Sequence, residues 1–318
     1  MGRRGWLAAM AVGAACLSAW AGGAVRTAVR PEAGTVIEGM PRGLKDPVNP
    51  IRPEGIPKTL IKDPQGVLLS IPARDQAPER PPEGWCGETA IQEALLYHGA
   101  YLPQKQINAA GKPDHPDLYS YNIPVALENL RMAFQSWPPP GNTDLAAFLA
   151  WVREQISQGV PVLAGVKINP TKHPEWGLDH FVTAVGLRGD SILFNTTWGK
   201  QEVRTEKQLC STEDGYSFKN LTNRYYGIAI TGPAGLGPEF VPVRLFVVKE
   251  DAAQMAVVVK CEGLQPRTRY VAYKISSYDQ KSARPLAVFE SKGDACAFGD
   301  VIPRAEPAIY RCRKAPAP

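Results

Sequence analysis

The apolar periodicity of the chain changes near Gly159, and this change limits the fold more than any other feature of the sequence. Before Gly159, apolar residues recur at helical spacing in segments that begin at Cys86, Ile123 and Thr143. After it, the apolar runs are short and β-rich, at 160–168, 180–187, 191–194 and 225–231. Helices followed by a meander of strands predict an α+β domain over 62–234, in which N-terminal helices pack on an antiparallel sheet.

The last quarter of the chain predicts a second, all-β unit. Gly232-Pro233 and 235–238 mark a boundary, and the strands beyond it are short and have no helix between them. This spacing predicts a small β-sandwich over 240–318. The segment 263–266 with Tyr270 resembles the Leu-x-Pro-x-x-x-Tyr corner of fibronectin type III-like domains.

The N-terminus has the layout of a secretory signal peptide. Two arginines precede an apolar stretch at 6–17, and Ala19-Trp20-Ala21 offers a cleavage site, so we expect residues 1–21 to be removed. A lipid anchor at Cys16 is a less favoured alternative. The Pro- and Gly-rich segment 22–61 predicts a linker or arm, with a propeptide as the alternative. The protein is therefore expected to be secreted or periplasmic, with no transmembrane span.

Charge and cysteine content narrow the possible functions. The 36 basic and 31 acidic residues are scattered, which argues against a nucleic-acid partner. Five cysteines remain after Cys16, and in an oxidising compartment an odd number leaves one thiol free. Cys86 lies far upstream of the other four, which makes it the natural unpaired residue. The pairing of those four stays open from sequence: Cys210, Cys261, Cys296 and Cys312.

A set of residues suited to thiol catalysis lies in the predicted α+β domain. Cys86 falls where a helical pattern begins, and the positive end of the helix dipole favours its thiolate. Gly84 and Gly87 leave the sulfur accessible, and Gln76 upstream is a candidate oxyanion donor.

The histidine needed as a base is predicted at the start of a strand. His180 precedes an apolar run, and Asn195 ends the following run. If the two strands form a hairpin that turns at 188–190, His180 and Asn195 approach the same open end. Asn195 is then expected to fix the tautomer of the imidazole.

The segments 84–90, 177–186 and 192–195 together resemble the papain-like cysteine peptidases, closest to the bacteriocin leader peptidase branch, over about 65–200. The resemblance implies that Cys86 is the nucleophile, His180 the general base and Gln76 the oxyanion-hole glutamine. Asn195 takes the third place, where leader peptidases usually carry Asp and papain carries Asn. Four further residues are expected to line the substrate cleft: Gly84, Trp85, Asp179 and Trp198.

These features predict a secreted cysteine peptidase that acts on a peptide or protein substrate without a cofactor or metal. The absence of a Gly-x-x-x-x-Gly-Lys-Ser/Thr motif argues against the transporter fusions of leader peptidases. Two alternatives stay open. The same residues suit transglutaminase-like or amidase acyl transfer, and a peptidase scaffold without activity would serve as a peptide- or surface-binding protein.

Overall fold

The structure of the protein is a computed structural model. It describes residues 36–37, 49–77, 79–80, 83–137, 144–168, 171–172, 174, 177–211, 215–218, 225–276 and 282–315. The predicted signal peptide, Cys16, the predicted cap Thr143 and most of the arm lie outside these residues.

The described residues contain five α-helices and a single 3-10 turn at Pro53–Gly55. The helices are α1 Cys86–Tyr97, α2 Gln104–Gly111, α3 Asn122–Asn129, α4 Leu145–Ser157 and α5 Glu206–Leu209. Asp144 is the N-cap of α4, and its side chain accepts a hydrogen bond from the backbone N–H of Ala146. None of the helices in the described ranges is long and apolar enough to cross a membrane.

The described residues contain nineteen β-strands, numbered β1 to β19 in chain order. Those before α4 are β1 Val36–Ile37, β2 Leu60–Asp63, β3 Gly66–Leu69, β4 Glu79–Arg80, β5 Glu83–Gly84, β6 Ala100–Tyr101 and β7 Met132–Ser136. The central ones are β8 Val162–Val166, β9 His180–Arg188, β10 Ser191–Asn195, β11 Gln201–Thr205 and β12 Tyr226–Pro233. The last are β13 Phe240–Val241, β14 Val243–Glu250, β15 Gln254–Glu262, β16 Arg269–Ile275, β17 Ser282–Glu290, β18 Ala295–Pro303 and β19 Ala308–Lys314.

The α+β papain-like architecture predicted from the sequence is wrong. The described residues are mostly β-strand, in several antiparallel sheets and a half-barrel, and not N-terminal helices packed on a sheet. One cause is the segment predicted as a second helix. It is helical only to Asn129, because Arg131 has a φ of 50° and breaks the helix. The chain then enters β7, which pairs with β12.

The largest sheet carries the residues of interest. Its strand order is β11-β10-β9-β8-β12-β7, and β3 pairs with β9 beside it. The hairpin of β9 and β10 turns at Gly189 and Asp190, as the sequence predicted. Strands β8 and β10 are buried along their whole length. This sheet therefore holds the first residue of β9 rigidly against the protein interior.

The C-terminal strands form two sheets around a shared apolar cluster. One sheet has the order β14-β15-β18, and the other has β1-β17-β16-β19-β13, with β6 pairing with β19. Leu245, Val259 and Phe298 from the first sheet join Tyr270 and Tyr310 from the second. The Tyr270 hydroxyl accepts a hydrogen bond from the Gln265 backbone N–H at 2.9 Å, which is the contact expected of the corner motif. The fibronectin type III-like assignment and the domain boundaries stay predictions.

Helix α1 lies at the centre of the molecule. Every one of its twelve residues is buried, including four with polar side chains, Glu88, Thr89, Gln92 and Glu93. The helix contacts β9 in the large sheet and β14 in the C-terminal region. A helix surrounded on all sides must satisfy its polar groups internally. The candidate site lies among the polar residues that surround α1.

Candidate active site

Cys86 is the first residue of α1 and is 9% exposed. It belongs to the same buried apolar cluster as Phe181 and Ile123. A Cβ at Gly87 would lie 2.9 Å from Ile123 Cδ1 and 3.2 Å from the Leu118 carbonyl oxygen, so the packing at this position is tight. The helix start predicted at Cys86 is thus confirmed, and the thiol lies against the strand that begins with His180.

His180 is the first residue of β9 and is 4% exposed. Its Nε2 atom lies 3.2 Å from the Thr197 hydroxyl. The imidazole stacks on Trp198 with ring centroids 4.5 Å apart and an interplanar angle of 12°. Since Phe181 directly follows His180 and shares an apolar cluster with Cys86, the first residues of α1 and of β9 lie close together.

Asn195 does not lie at that place. In the β9–β10 register it is opposite Thr183, three residues from His180 along the strand, or about 10 Å. Its Nδ2 donates to the Ile71 carbonyl at 3.2 Å, and its Oδ1 accepts from Gln201 Nε2 at 2.9 Å. Thr197, which the sequence reasoning missed, contacts the imidazole instead. Counting residues outward from the 189–190 turn would have shown this, because antiparallel partners have nearly constant index sums.

Gln76 is brought close to both halves of the site. Its backbone N–H donates to the Thr197 carbonyl at 2.8 Å, and its Oε1 accepts from the Thr197 hydroxyl at 3.4 Å. Its Nε2 lies 3.1 Å from the point that a Cβ on Gly84 would occupy. Gly84 precedes Cys86 by two residues, so the amide donor of Gln76 points to the chain that carries the thiol.

The other predicted cleft residues divide into two kinds. Trp198 covers the imidazole of His180, and Trp85 lies next to Cys86 with its indole N–H donating to the Pro116 carbonyl at 2.9 Å. Asp179 instead accepts a hydrogen bond from the Ile168 backbone N–H at 2.9 Å. That bond ties the entry of β9 to the end of β8.

Burial dominates the electrostatics of the pair. It raises the pKa of Cys86 to about 12, against the lowering effect of the Phe181 N–H, with Glu88 and Asp117 raising it further. Burial also lowers the pKa of His180 to about 4, although the hydrogen bond to Thr196 raises it. Both groups are therefore neutral at pH 7. The helix dipole, which we expected to favour a thiolate, is outweighed by the loss of solvent.

Two buried carboxyl groups on α1 were missed by the sequence reasoning. Burial raises the pKa of Glu88 to about 7, and its Oε1 accepts from Asn108 Nδ2 at 2.7 Å and from the Leu118 N–H at 3.0 Å. Burial raises the pKa of Glu93 to about 8, and its Oε1 accepts from the Arg74 N–H at 2.9 Å. Their burial follows from the packing of α1 on all sides, which local periodicity does not reveal.

Within the described residues, no group of three or more His, Cys, Asp and Glu side chains has a metal-binding arrangement. Comparison of the chain with protein-family models, with curated proteins and with solved structures finds no match. Any function must therefore be argued from the contacts of Cys86 and His180 themselves.

Proposed function

We propose that the protein is a cysteine peptidase, with Cys86 as nucleophile and His180 as general base. The observation that carries the proposal is that Cys86, at the start of α1, shares an apolar cluster with Phe181, and that the imidazole of the adjacent His180 contacts the Thr197 hydroxyl. A nucleophile, a base and a group that orients the base are the parts that thiol catalysis needs. Kinship with the papain-like peptidases is part of the proposal and rests on the sequence motifs alone.

The neutral state of both groups suggests how the reaction begins. His180 removes the thiol proton as the sulfur attacks the scissile carbonyl, so the proton moves within the same step as bond formation. The tetrahedral oxyanion accepts hydrogen bonds from the Cys86 backbone N–H and from Gln76 Nε2. Collapse of this intermediate expels the amine, which takes the proton from His180. The products of this half-reaction are the free amine and a thioester on Cys86.

Hydrolysis of the thioester returns the enzyme to its starting state. His180 removes a proton from water, the resulting nucleophile attacks the thioester carbonyl, and the Cys86 thiolate leaves and regains the proton. Thr197 is the orienting residue in this scheme because its hydroxyl contacts Nε2 of His180 and also Oε1 of Gln76. One hydroxyl thus aligns the base and the oxyanion donor together.

Two alternatives use the same groups. In acyl transfer of the transglutaminase or amidase kind, an amine takes the place of water in the second half-reaction. In a binding protein, the pair performs no chemistry. The burial of Cys86 and His180 favours the binding protein as the second candidate, since a substrate must gain access to a thiol that is 9% exposed and an imidazole that is 4% exposed.

The N-terminal pattern supports export of the protein to the periplasm or the medium. The proposed substrate is a peptide or a protein. Determining the N-terminal residue of the exported protein tests this part. Cleavage after Ala21 is the expected result, and a lipid-modified Cys16 would replace it by the anchored alternative.

The chemistry is tested by labelling with a peptidyl epoxide, a reagent that alkylates activated thiols. We expect one adduct, on Cys86, formed at a rate that falls at least about 100-fold in His180→Ala. Labelling that is equally fast in His180→Ala would show that His180 does not activate the thiol. No adduct on a folded protein would favour the binding protein. Adding a primary amine during turnover of an ester substrate separates hydrolysis from acyl transfer.

A further inference from the structure

Three thiols converge at one end of the C-terminal pair of sheets, far in sequence from Cys86. Cys261 on β15 is directly opposite Cys296 on β18 in the antiparallel register. Opposed residues of such a pair lie on the same face of the sheet, about 4.5 to 5.5 Å apart at Cα. This separation is within the range of about 4.4 to 6.8 Å that a disulfide spans.

Cys312 approaches the same point from the facing sheet. It lies on β19, opposite Val241 of β13, while Cys261 is opposite Val243 of β14. The segment 240–243 therefore passes from one sheet to the other, and it pairs first with the strand of Cys312 and then with the strand of Cys261. Cys261 and Cys312 belong to the same buried apolar cluster, and both are free thiols in the structure.

All three thiols are fully or partly buried, unlike a solvent-exposed pair of thiols. Cys261 is 1% exposed and Cys312 is fully buried, and both belong to the apolar cluster between the sheets. Cys296 is partly buried and packs against that cluster. The hydrogen bond to Cys312 and burial raise the pKa of Cys261, and burial raises the pKa of Cys296 to about 12. Thiolate formation is therefore unfavourable once the sheets have closed, and oxidation is favoured during folding.

We propose that Cys261 is the shared sulfur of two mutually exclusive disulfides, one to Cys312 across the sheets and one to Cys296 on the neighbouring strand. Cys296 lies on the same sheet as Cys261, whereas Cys312 lies on the facing sheet. The strand register therefore does not pair Cys296 with Cys312. Each oxidation leaves one of the three as a thiol. Cys86 and Cys210 take no part, so this inference does not depend on the proposed peptidase activity.

The oxidant is a disulfide, either oxidised glutathione or the disulfide form of a thiol oxidoreductase. The two cysteine thiols lose two protons and two electrons as their S–S bond forms, and the oxidant takes them up and is released as two thiols. The two disulfides interconvert by exchange. This exchange takes place during folding, before the sheets close. Cys296 loses its proton to solvent, its thiolate attacks the Cys261 sulfur of the cross-sheet bond, and Cys312 leaves as a thiolate that takes up a proton.

Peptide mapping tests the proposal on the full mature chain. The protein is refolded in a mixture of oxidised and reduced glutathione, its free thiols are alkylated, and it is digested with trypsin without reduction. Cleavage at Arg267, Arg304 and Arg311 places the three cysteines on separate peptides. Every intramolecular linked peptide of the wild type is expected to contain Cys261. A bond between Cys296 and Cys312, or alkylation of Cys261 in most molecules, would overturn the proposal.

Three variants sharpen the result, with Cys210→Ala as the matched control. Cys296→Ala should give only the bond between 261 and 312, and Cys312→Ala only the bond between 261 and 296. Cys261→Ala should give no linked peptide between 296 and 312. Failure of either of the first two variants to form its bond, while circular dichroism shows it folded, contradicts a shared sulfur. If a variant does not fold, the wild-type map decides, because a shared sulfur requires both the bond between 261 and 312 and the bond between 261 and 296, and a map with only one of them contradicts the proposal.

Discussion

The region around Cys86 and the C-terminal sheets both bury thiols, and their neighbours differ. Burial is the main cause that raises the pKa of Cys86, and the backbone N–H of Phe181, the residue after His180, opposes it. The main cause for Cys261 is the hydrogen bond to Cys312. Burial makes both thiols poor nucleophiles at rest. The neighbours decide the chemistry open to each thiol, because a histidine offers a place for the proton and a second thiol offers a partner for oxidation.

The carboxyl groups of the two regions differ in the same way. Glu88 and Glu93 on α1 have a pKa raised mainly by burial. In the C-terminal region, burial would raise the pKa of Asp300, but the Tyr310 hydroxyl and Lys274 outweigh it and lower that pKa. Acidic groups near Cys86 are thus held close to neutrality, whereas Asp300 is held as an anion beside a cation. The first region is a low-dielectric pocket, and the second satisfies its charges locally.

The largest expected effect is loss of peptide hydrolysis on removal of the Cys86–His180 pair. Cys86→Ala and His180→Ala should each lower kcat/KM at least about 1000-fold, because each removes a reacting group. Cys261→Ala should change kcat/KM less than about threefold. The measurement is cleavage of a denatured, fluorescently labelled protein by refolded, purified chains.

Circular dichroism and thermal melting serve as the fold control for these variants. Activity that survives in Cys86→Ala, or that disappears in Cys261→Ala at unchanged stability, would mean that the two thiol regions have been assigned the wrong roles.

The next largest effect is the pH dependence of Cys86 alkylation by iodoacetamide. Because the pKa of Cys86 is raised to about 12, the thiolate fraction grows about tenfold per pH unit well below that pKa. We expect the rate to rise about 100-fold from pH 7 to pH 9 without levelling off. Mass spectrometry of the Cys86 peptide gives the rate.

Replacing Glu88 by Gln removes a carboxylate that raises the thiol pKa, and its Oε1 acceptor is kept. Glu88→Gln should therefore be alkylated several-fold faster at pH 8. A wild-type rate that is already constant from pH 6 upward would show a preformed thiolate–imidazolium pair and contradict the neutral resting state.

Local elements of the site could be predicted from the sequence, because each depends on neighbouring residues. The apolar spacing after Cys86 predicted α1, and the β-rich runs around the 189–190 turn predicted β9 and β10. The prediction of how these helices and strands combine into a fold was wrong. The fold class was wrong because the helical pattern after Ile123 stops at Asn129 and the chain then adds a strand, β7, to the large sheet.

The third member of the site failed for a different reason. Asn195 was chosen as the residue that ends a strand near His180, but the register places it opposite Thr183. A shift of a few residues along a hairpin is enough to exchange Asn195 for Thr197. The raised pKa values of Glu88 and Glu93 were beyond prediction, since they depend on how many elements surround α1.

A smaller effect distinguishes Thr197 from Asn195. Thr197→Val removes the hydroxyl that contacts Nε2 of His180, and we expect kcat/KM to fall about 10- to 30-fold, with recovery in Thr197→Ser. Asn195→Ala should alter kcat/KM less than about threefold but lower the melting temperature, because it breaks buried hydrogen bonds to Ile71 and Gln201.

Kinetics on folded variants, together with the rate of peptidyl-epoxide labelling, provide the comparison. A labelling rate that drops more in Asn195→Ala than in Thr197→Val would restore Asn195 as the orienting residue and remove Thr197 from that role.

The smallest effect is the change of stability between pH 6.5 and 8, which we expect from the region around Cys86 and not from Asp300 in the C-terminal sheets. Glu93 has a folded pKa of about 8, above its unfolded value of 4.5, so the folded state binds more protons between these values. Its stabilising contribution is complete below pH 4.5 and is lost as the pH rises through 8. Lowered histidine pKa values affect stability only below pH 6.5. From pH 6.5 to 8, Glu93 should therefore lower the free energy of unfolding by about 1 to 2 kcal/mol.

Urea unfolding at several pH values in this window tests the sign. Glu93→Gln keeps the acceptor for the Arg74 N–H and should flatten the decline, leaving only the weaker contribution of Glu88. Asp300→Asn is the matched control from the C-terminal sheets, because a carboxyl with a lowered pKa is already ionised in both states throughout this window. It should lower stability equally at every pH and leave the slope unchanged. A slope that persists in Glu93→Gln would mean that Glu93 is ionised in the folded protein, and the pocket around Cys86 would then be more polar than its burial implies.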